Sequence, residues 1–137
     1  MFFLMRCDHH PGQDAARDRL RPAHRDWNRS GGAGRVSVII GAALWADDGT
    51  PLGHWGILQA ATPGDARAYL DGDPFVTGGV VAGTTLTRIA DSFAADRINP
   101  RMSDAWVLLP GGVGGLRAPR TPALRGSTLP LRTPVDI

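Results

Sequence analysis

Val36-Ser37-Val38-Ile39-Ile40-Gly41-Ala42-Ala43-Leu44-Trp45, then Asp47-Asp48-Gly49, then Pro51-Leu52-Gly53 and on to Ala61, is the stretch that decides the fold. Its first part is rich in β-branched residues and reads as a strand. The small residues Gly41, Ala42 and Ala43 at the end of that strand let something approach the backbone closely. Asp47-Asp48-Gly49 is a hairpin signal, and Pro51 marks the start of a returning strand through Leu52 to Ala61.

Outward from this hairpin, each side supplies one helix and one strand. Upstream, Met1 to Cys7 is a short apolar run closed by Asp8 to Gly12 with its Pro-Gly turn, and reads as a buried strand. Asp14 is a plausible N-cap for a helix whose apolar face is Ala16, Leu20, Ala23 and Trp27. Pro22 falls inside that helix, where proline costs about 3 kcal/mol or more, so a kink is expected near it. The run Ser30-Gly31-Gly32-Ala33-Gly34 ends it. Downstream, Thr62-Pro63 opens a helix through Ala66, Ala68, Tyr69 and Leu70 that stops before Pro74. A last strand runs through Val80, Val81, Thr85, Leu86, Thr87 and Ile89.

The order βαββαβ is the ferredoxin-like α+β arrangement, an antiparallel four-stranded sheet covered on one face by two helices. The other face is left bare. Two copies packed sheet to sheet bury it and enclose a cavity in each subunit, so a homodimer is expected. This domain spans residues 1–92. Residues 93–137 are rich in Pro, Gly and Arg and read as an extended or disordered tail in which only Ala105 to Leu109 has strand character.

Composition narrows the function. Among 137 residues every basic side chain is Arg and every acidic one Asp. The absence of Lys excludes Schiff-base catalysis, a lysine-anchored pyridoxal cofactor and a P-loop. The net charge is only +2, and six of the fifteen arginines follow residue 96, which argues against a nucleic-acid groove. The lone Cys7 has no partner for an internal disulfide and reads as an inert buried thiol. Phe2-Phe3-Leu4-Met5 is too short and lacks the basic leader of a secretory signal, and no apolar run approaches the roughly 20 residues of a membrane span. A cytoplasmic location away from membranes is expected.

Four pieces fall in register: Arg21-Pro22-Ala23-His24 in the first helix, Gly41-Ala42-Ala43-Leu44 before Asp47-Asp48-Gly49, Pro51-Leu52-Gly53 opening the third strand, and Asp73-Pro74-Phe75-Val76 before Gly78-Gly79-Val80. Over residues 1 to about 90 the chain resembles the YciI-like proteins of the dimeric α+β barrel superfamily. The resemblance implies a ferredoxin-like dimer with a pocket centred on a His/Asp pair, here His24 and Asp73. One branch of that family is a dehydrochlorinase acting on a chlorinated hydroxyhydroquinone; the superfamily includes muconolactone isomerases, polyketide cyclases and monooxygenases that need no metal. The chain departs from the family in having Gly41-Ala42-Ala43-Leu44 where Ala-Gly-Pro-Leu is usual. It also has His54 and Trp55 in place of Ser and an aliphatic residue.

Histidine suits proton transfer because its pKa of about 6.5 lets it accept and donate near neutrality. In the functional reading Asp73 fixes the tautomer of His24, which takes a proton from substrate, while Arg21, one turn away, holds an anionic group. Asp8, Gly41, His54 and Phe75 are the other expected substrate-binding residues. On the residues alone, a structural hydrogen bond tying the helix to the Asp-Pro turn is the stronger reading; the resemblance reverses that balance. A metal site from Asp8, His9, His10 and His54 is disfavoured, since neighbouring histidines in an extended segment point to opposite faces. No metal or cofactor is expected. Trp27, Trp45 and Trp55 are read either as an aromatic pocket wall or as core and interface. Gly111 to Gly115 lacks the strand and helix of a phosphate loop.

The expected function is cofactor-independent acid/base chemistry of lyase or isomerase type on a small oxygenated organic molecule. The alternatives are a cyclase or tailoring enzyme for an aromatic or polyketide-like intermediate, and a non-catalytic binding or accessory protein.

Overall fold

A computed structural model describes residues 1–103. Strand β1 (Phe2–His9) leads into α1 (Asp14–Gly34), the hairpin β2 (Val36–Trp45) and β3 (Pro51–Ala60), helices α2 (Pro63–Gly72) and α3 (Pro74–Thr77), and β4 (Val81–Ile89). The sheet order is β2-β3-β1-β4 with every pairing antiparallel, the ferredoxin-like arrangement. No helix among the described residues is long and apolar enough to cross a membrane.

Period-two alternation sorts the sheet. Phe3, Met5 and Cys7 of β1 and Leu58 and Ala60 of β3 face the helices and join Val36, Val38, Ala66, Tyr69 and Leu70 in the core. Leu4 and Leu52, by contrast, remain 40% and 43% exposed in the protomer. At the hairpin Gly49 adopts φ +85°, and Ala46 N–H donates to Thr50 O at 2.9 Å. Thr62 caps α2 by accepting from Asp65 N–H at 3.1 Å, with Pro63 in the first helical turn, as the Thr-Pro pair predicts.

Helix α1 departs from expectation in three ways. Its N-cap is Gln13, with Asp14 in the first turn paired to Arg17. Its non-helical dihedrals fall at Gly31, Gly32 and Ala33, all left-handed, and not at Pro22. Pro22 lies on the exposed side, where water can hydrate the carbonyl that the missing N–H leaves unbonded. Most consequentially, the buried side of α1 is polar: Arg17, His24 and Asn28 lead down to Gly31, whereas Ala23 is exposed. The helix covers the sheet with functional groups in place of an apolar stripe.

Two further differences concern the ends of elements. β1 runs on through Asp8 and His9, and Pro74-Phe75-Val76-Thr77 forms a helical turn of its own. Residues 93–103, placed by sequence in the tail, return to the edge strand β2 after a 3₁₀ turn at Ala95–Arg97. β2 is bulged between Val38 and Ile40, and Ile39 O accepts from Met102 N–H at 3.3 Å. Ser103 N–H donates to Val38 O at 3.1 Å and its hydroxyl accepts from Val38 N–H at 2.9 Å. Arg101 donates to Ser37 Oγ and Gln59 Oε1 at 2.9 and 2.8 Å. These bonds cover backbone groups that an edge strand otherwise leaves open to pairing. The rest of the expected tail, with Ala105 to Leu109 and Gly111 to Gly115, lies outside the described residues.

Candidate active site

Asp73 is the hub of the site. It stands between α2 and α3, and its side chain caps the short α3 by accepting from Phe75 N–H at 2.9 Å. The residue before proline is held out of the helical region, which is why the chain turns here and aims the carboxylate inward. Asp73 is 1% exposed, and its Oδ1 lies 2.7 Å from Nδ1 of the fully buried His24 on α1. The pair expected from sequence therefore meets.

His24 is engaged on both nitrogens. Tyr69 O–H donates to Asn28 Oδ1, which leaves the Asn28 amide N–H to donate to His24 Nε2 at 3.1 Å. That arrangement puts the His24 proton on Nδ1, donating to Asp73. Phe75 lies flat against the same ring, with centroids 3.9 Å apart.

A second histidine arm reaches Asp73 from β3. His54 Nε2 sits 3.4 Å from Asp73 Oδ2, and His54 Nδ1 is 2.8 Å from His9 Nε2. With the His54 proton on Nε2, facing the carboxylate, Nδ1 accepts from His9 N–H, and the chain of contacts reads His9, His54, Asp73, His24, Asn28, Tyr69. His9 Nδ1 is buried without a protein partner.

The electrostatics favour an ionised Asp73 beside a neutral His9 and His54. Burial acts to raise Asp73, but the hydrogen bonds and charges of His24 and His54 prevail and hold its carboxyl far below the usual range. Burial, reinforced by His54 and Arg17, pushes His9 down to about 4, and burial lowers His54 as well. Burial and the nearby Asp73 push the Cys7 thiol up to about 12, which makes it inert, and Tyr69 is likewise raised by its burial.

A cavity of about 220 Å³ opens beside this network. His9, Arg17 and Arg21 supply its polar lining, and Trp45 and Phe75 its aromatic walls. Of the expected substrate-binding residues, Arg21 and Phe75 line it, and His54 lies behind His9. Gly41 pairs with Gly56 in the sheet and is not in the cavity wall. Asp8 is turned away: it accepts from Arg6 Nε at 2.9 Å and is half exposed on the opposite face. Sequence reading missed Arg17 and left His9 between the pocket mouth, water and a disfavoured metal set, although the parity of Phe3, Met5 and Cys7 along β1 points His9 to the helix side. Gly53 also lines the cavity, and no larger residue fits there, since a Cβ would stand 2.1 Å from Cys7 O. Of the described tryptophans only Trp45 lines the cavity; Trp27 donates to Tyr69 O at 3.0 Å, and Trp55 lies half-buried in β3.

His24, His54 and Asp73 each bring one ligand atom within 4.8 Å of the others, a two-histidine, one-carboxylate donor set. It differs from the set weighed in the sequence: His9 meets His54, but His10 is exposed and Asp8 is paired to Arg6.

A family model described as the YCII-related domain matches residues 1–90. Among solved structures, the chain is similar to 5-chloro-2-hydroxyhydroquinone dehydrochlorinase (TftG) of Burkholderia phenoliruptrix AC1100, determined with 2,5-dihydroxybenzoquinone. The identity is 23% and the TM-score 0.57, over 66% of this chain and 94% of that one. It is also similar to Rv0793 of Mycobacterium tuberculosis at 12% identity and TM-score 0.43, over 68% and 97% of the two chains. No curated protein matches the chain significantly.

Proposed function

The chain belongs to the YCII-related domain family, and from that premise and the buried network around Asp73 we propose that it is a cofactor-independent acid/base enzyme. Its reaction is an elimination or isomerisation on a small, single-ring oxygenated molecule. The observation that carries this reading is the unbroken run of contacts from His24 through Asp73 and His54 to His9, whose ring lines the cavity. The related dehydrochlorinase, crystallised with a dihydroxybenzoquinone, supports the substrate class.

In the proposed mechanism His9 is the cavity-facing base and His24 the buried anchor of Asp73. A substrate C–H proton passes to the His9 ring, and the positive charge that forms is shared with His54 through their 2.8 Å contact while Asp73 stays ionised. The C–H bonding pair becomes the new double bond. In an elimination the leaving group departs with its own bonding pair; in an isomerisation the proton returns to another carbon. The Asp73 anion stabilises the cation that forms on the histidine arm, as a preorganised counter-charge. Every group used is neutral or already charged as required at neutral pH. The same reading includes a homodimer formed through the open sheet face that carries Leu4.

The test is a turnover screen of lactones, phenols, hydroxyquinones and small organic acids with wild type, His9→Gln and Asp73→Asn. Conversion by wild type that falls at least 100-fold in both variants, with ligand binding retained, is the expected result. Undiminished turnover in His9→Gln would remove His9 from the mechanism. Absence of turnover throughout the screen favours an accessory role.

A further inference from the structure

We propose that the cavity is built for an organic anion, a planar single ring bearing one carboxylate or ionised hydroxyl oxygen, with Arg17 as its principal charge partner. The inference rests on the reading of the cavity as the substrate site and adds what that site selects. Arg17 is 7% exposed, and its Nη1 is buried without a hydrogen-bond partner, whereas Nη2 is engaged by Asp14. A buried guanidinium N–H left unsatisfied is costly, and an anionic oxygen entering the cavity removes that cost. Arg21 stands one helical turn further along the same side of α1 and lines the same cavity.

The cavity wall contains no carboxylate among the described residues. Asp14 and Asp18, which pair with the two arginines, lie at the solvent end, with side chains 83% and 72% exposed, where water screens them. The buried Asp73 is already claimed by His24 and by the contact with His54. The interior end of the arginine pair therefore presents the unpartnered Nη1 of Arg17, and Trp45 and Phe75 flank it with flat apolar surface suited to a ring. An anion placed there also brings its ring within reach of His9.

The test is isothermal titration of wild type, Arg17→Gln and Arg17→Lys with benzoate, ionised 2,5-dihydroxybenzoquinone and their neutral counterparts benzamide and 2,5-dimethoxybenzoquinone. One or both anions should bind wild type at least ten-fold more tightly than their neutral counterparts, and the pattern tells carboxylate from ionised hydroxyl. Arg17→Gln should abolish that preference, and Arg17→Lys should restore part of it. Because Arg17→Gln deletes a buried unsatisfied donor, its melting temperature should be at or above that of wild type. Equal binding of neutral and charged ligands, no anion binding below ~10 mM, or an anion preference that survives Arg17→Gln overturns the proposal. Binding selectivity without turnover of any compound leaves the anion site standing and removes the enzymatic reading. Turnover without anion preference does the reverse.

Discussion

Phe75 lies flat on His24, with ring planes 10° apart, and its backbone N–H donates to the same Asp73 oxygen that receives His24 Nδ1–H. One residue therefore fixes the carboxylate through its main chain and the imidazole through its side chain. The Asp-Pro turn is therefore also the support of the site.

Replacing Asp73 by Asn tests that arrangement. The amide keeps the shape but cannot accept from His24 and still satisfy the His54 contact, since one of its two ends is now a donor. Unfolding in urea should show a loss of about 1.5–3 kcal/mol, the scale of a buried hydrogen bond to a charged group. A loss under about 0.5 kcal/mol would mean that the hub contributes little to the folded state.

The Tyr69–Asn28 bond sets the His24 tautomer, so Tyr69→Phe should act at a distance. Without the hydroxyl, the Asn28 amide is free to turn and offer its oxygen to His24 Nε2. Nitrogen NMR of labelled histidine should then show the His24 proton shared between Nδ1 and Nε2, with a stability loss of about 1 kcal/mol. An unchanged Nδ1–H tautomer would show that Asp73 alone fixes the ring.

Acid should destabilise the protein over a defined window. In the native state His9 titrates near 4 and His54 is also depressed, against an ordinary 6.5. Between those values the unfolded chain binds protons that the folded one refuses, so stability is full above pH 6.5 and falls as pH drops toward 4. Asp73 acts in the same direction but lower: its contribution is present above the ordinary 3.8 and lost below it. Urea midpoints from pH 7 to 4.5 should therefore decline, and His9→Gln should flatten the slope. A flat wild-type profile contradicts the neutral, buried state of the histidine arm.

What the sequence disclosed and what it hid follow from the same physics. The strands alternate with period two and carry turn residues at their ends, so the hairpin, the Thr62-Pro63 cap and the βαββαβ order were legible. Residues 1–90 also carry the family's motifs, which located His24 and Asp73. Helix α1 misled because a periodicity search rewards apolar residues, and its buried side is made of Arg17, His24 and Asn28. Asp8 was misplaced for want of strand parity: the strand runs on to His9, so Asp8 shares the outward side of Arg6. Nothing local announces that Arg101 reaches Ser37 and Gln59, since that contact exists only after the sheet is built.

Ala33 offers a test of the backbone. It holds φ +59° at the end of α1, a left-handed conformation that costs an L-residue with a Cβ roughly 1–2 kcal/mol. The site is exposed, so no packing is at stake. Ala33→Gly relieves the strain but gains chain entropy in the unfolded state, and a net stabilisation of about 0.5–1 kcal/mol is expected from chemical denaturation. Destabilisation would place the left-handed turn among conformations the native chain does not hold.

The open sheet face supplies the last test. Leu4 sits in the central strand β1, opposite Ile57 of β3 and Thr87 of β4, and is 40% exposed although its neighbours on both sides are sheet. A large side chain left so open in the middle of a sheet calls for a covering layer, and a second copy offers an identical apolar surface. Light scattering coupled to size exclusion should give a dimer for wild type. Leu4→Arg should give a monomer whose circular dichroism is unchanged, because the substitution touches neither the core nor the strand pairing and puts a charge into the apolar face proposed to be covered. A wild-type monomer at tens of micromolar, or a Leu4→Arg protein that stays dimeric, would remove this face as the dimer interface.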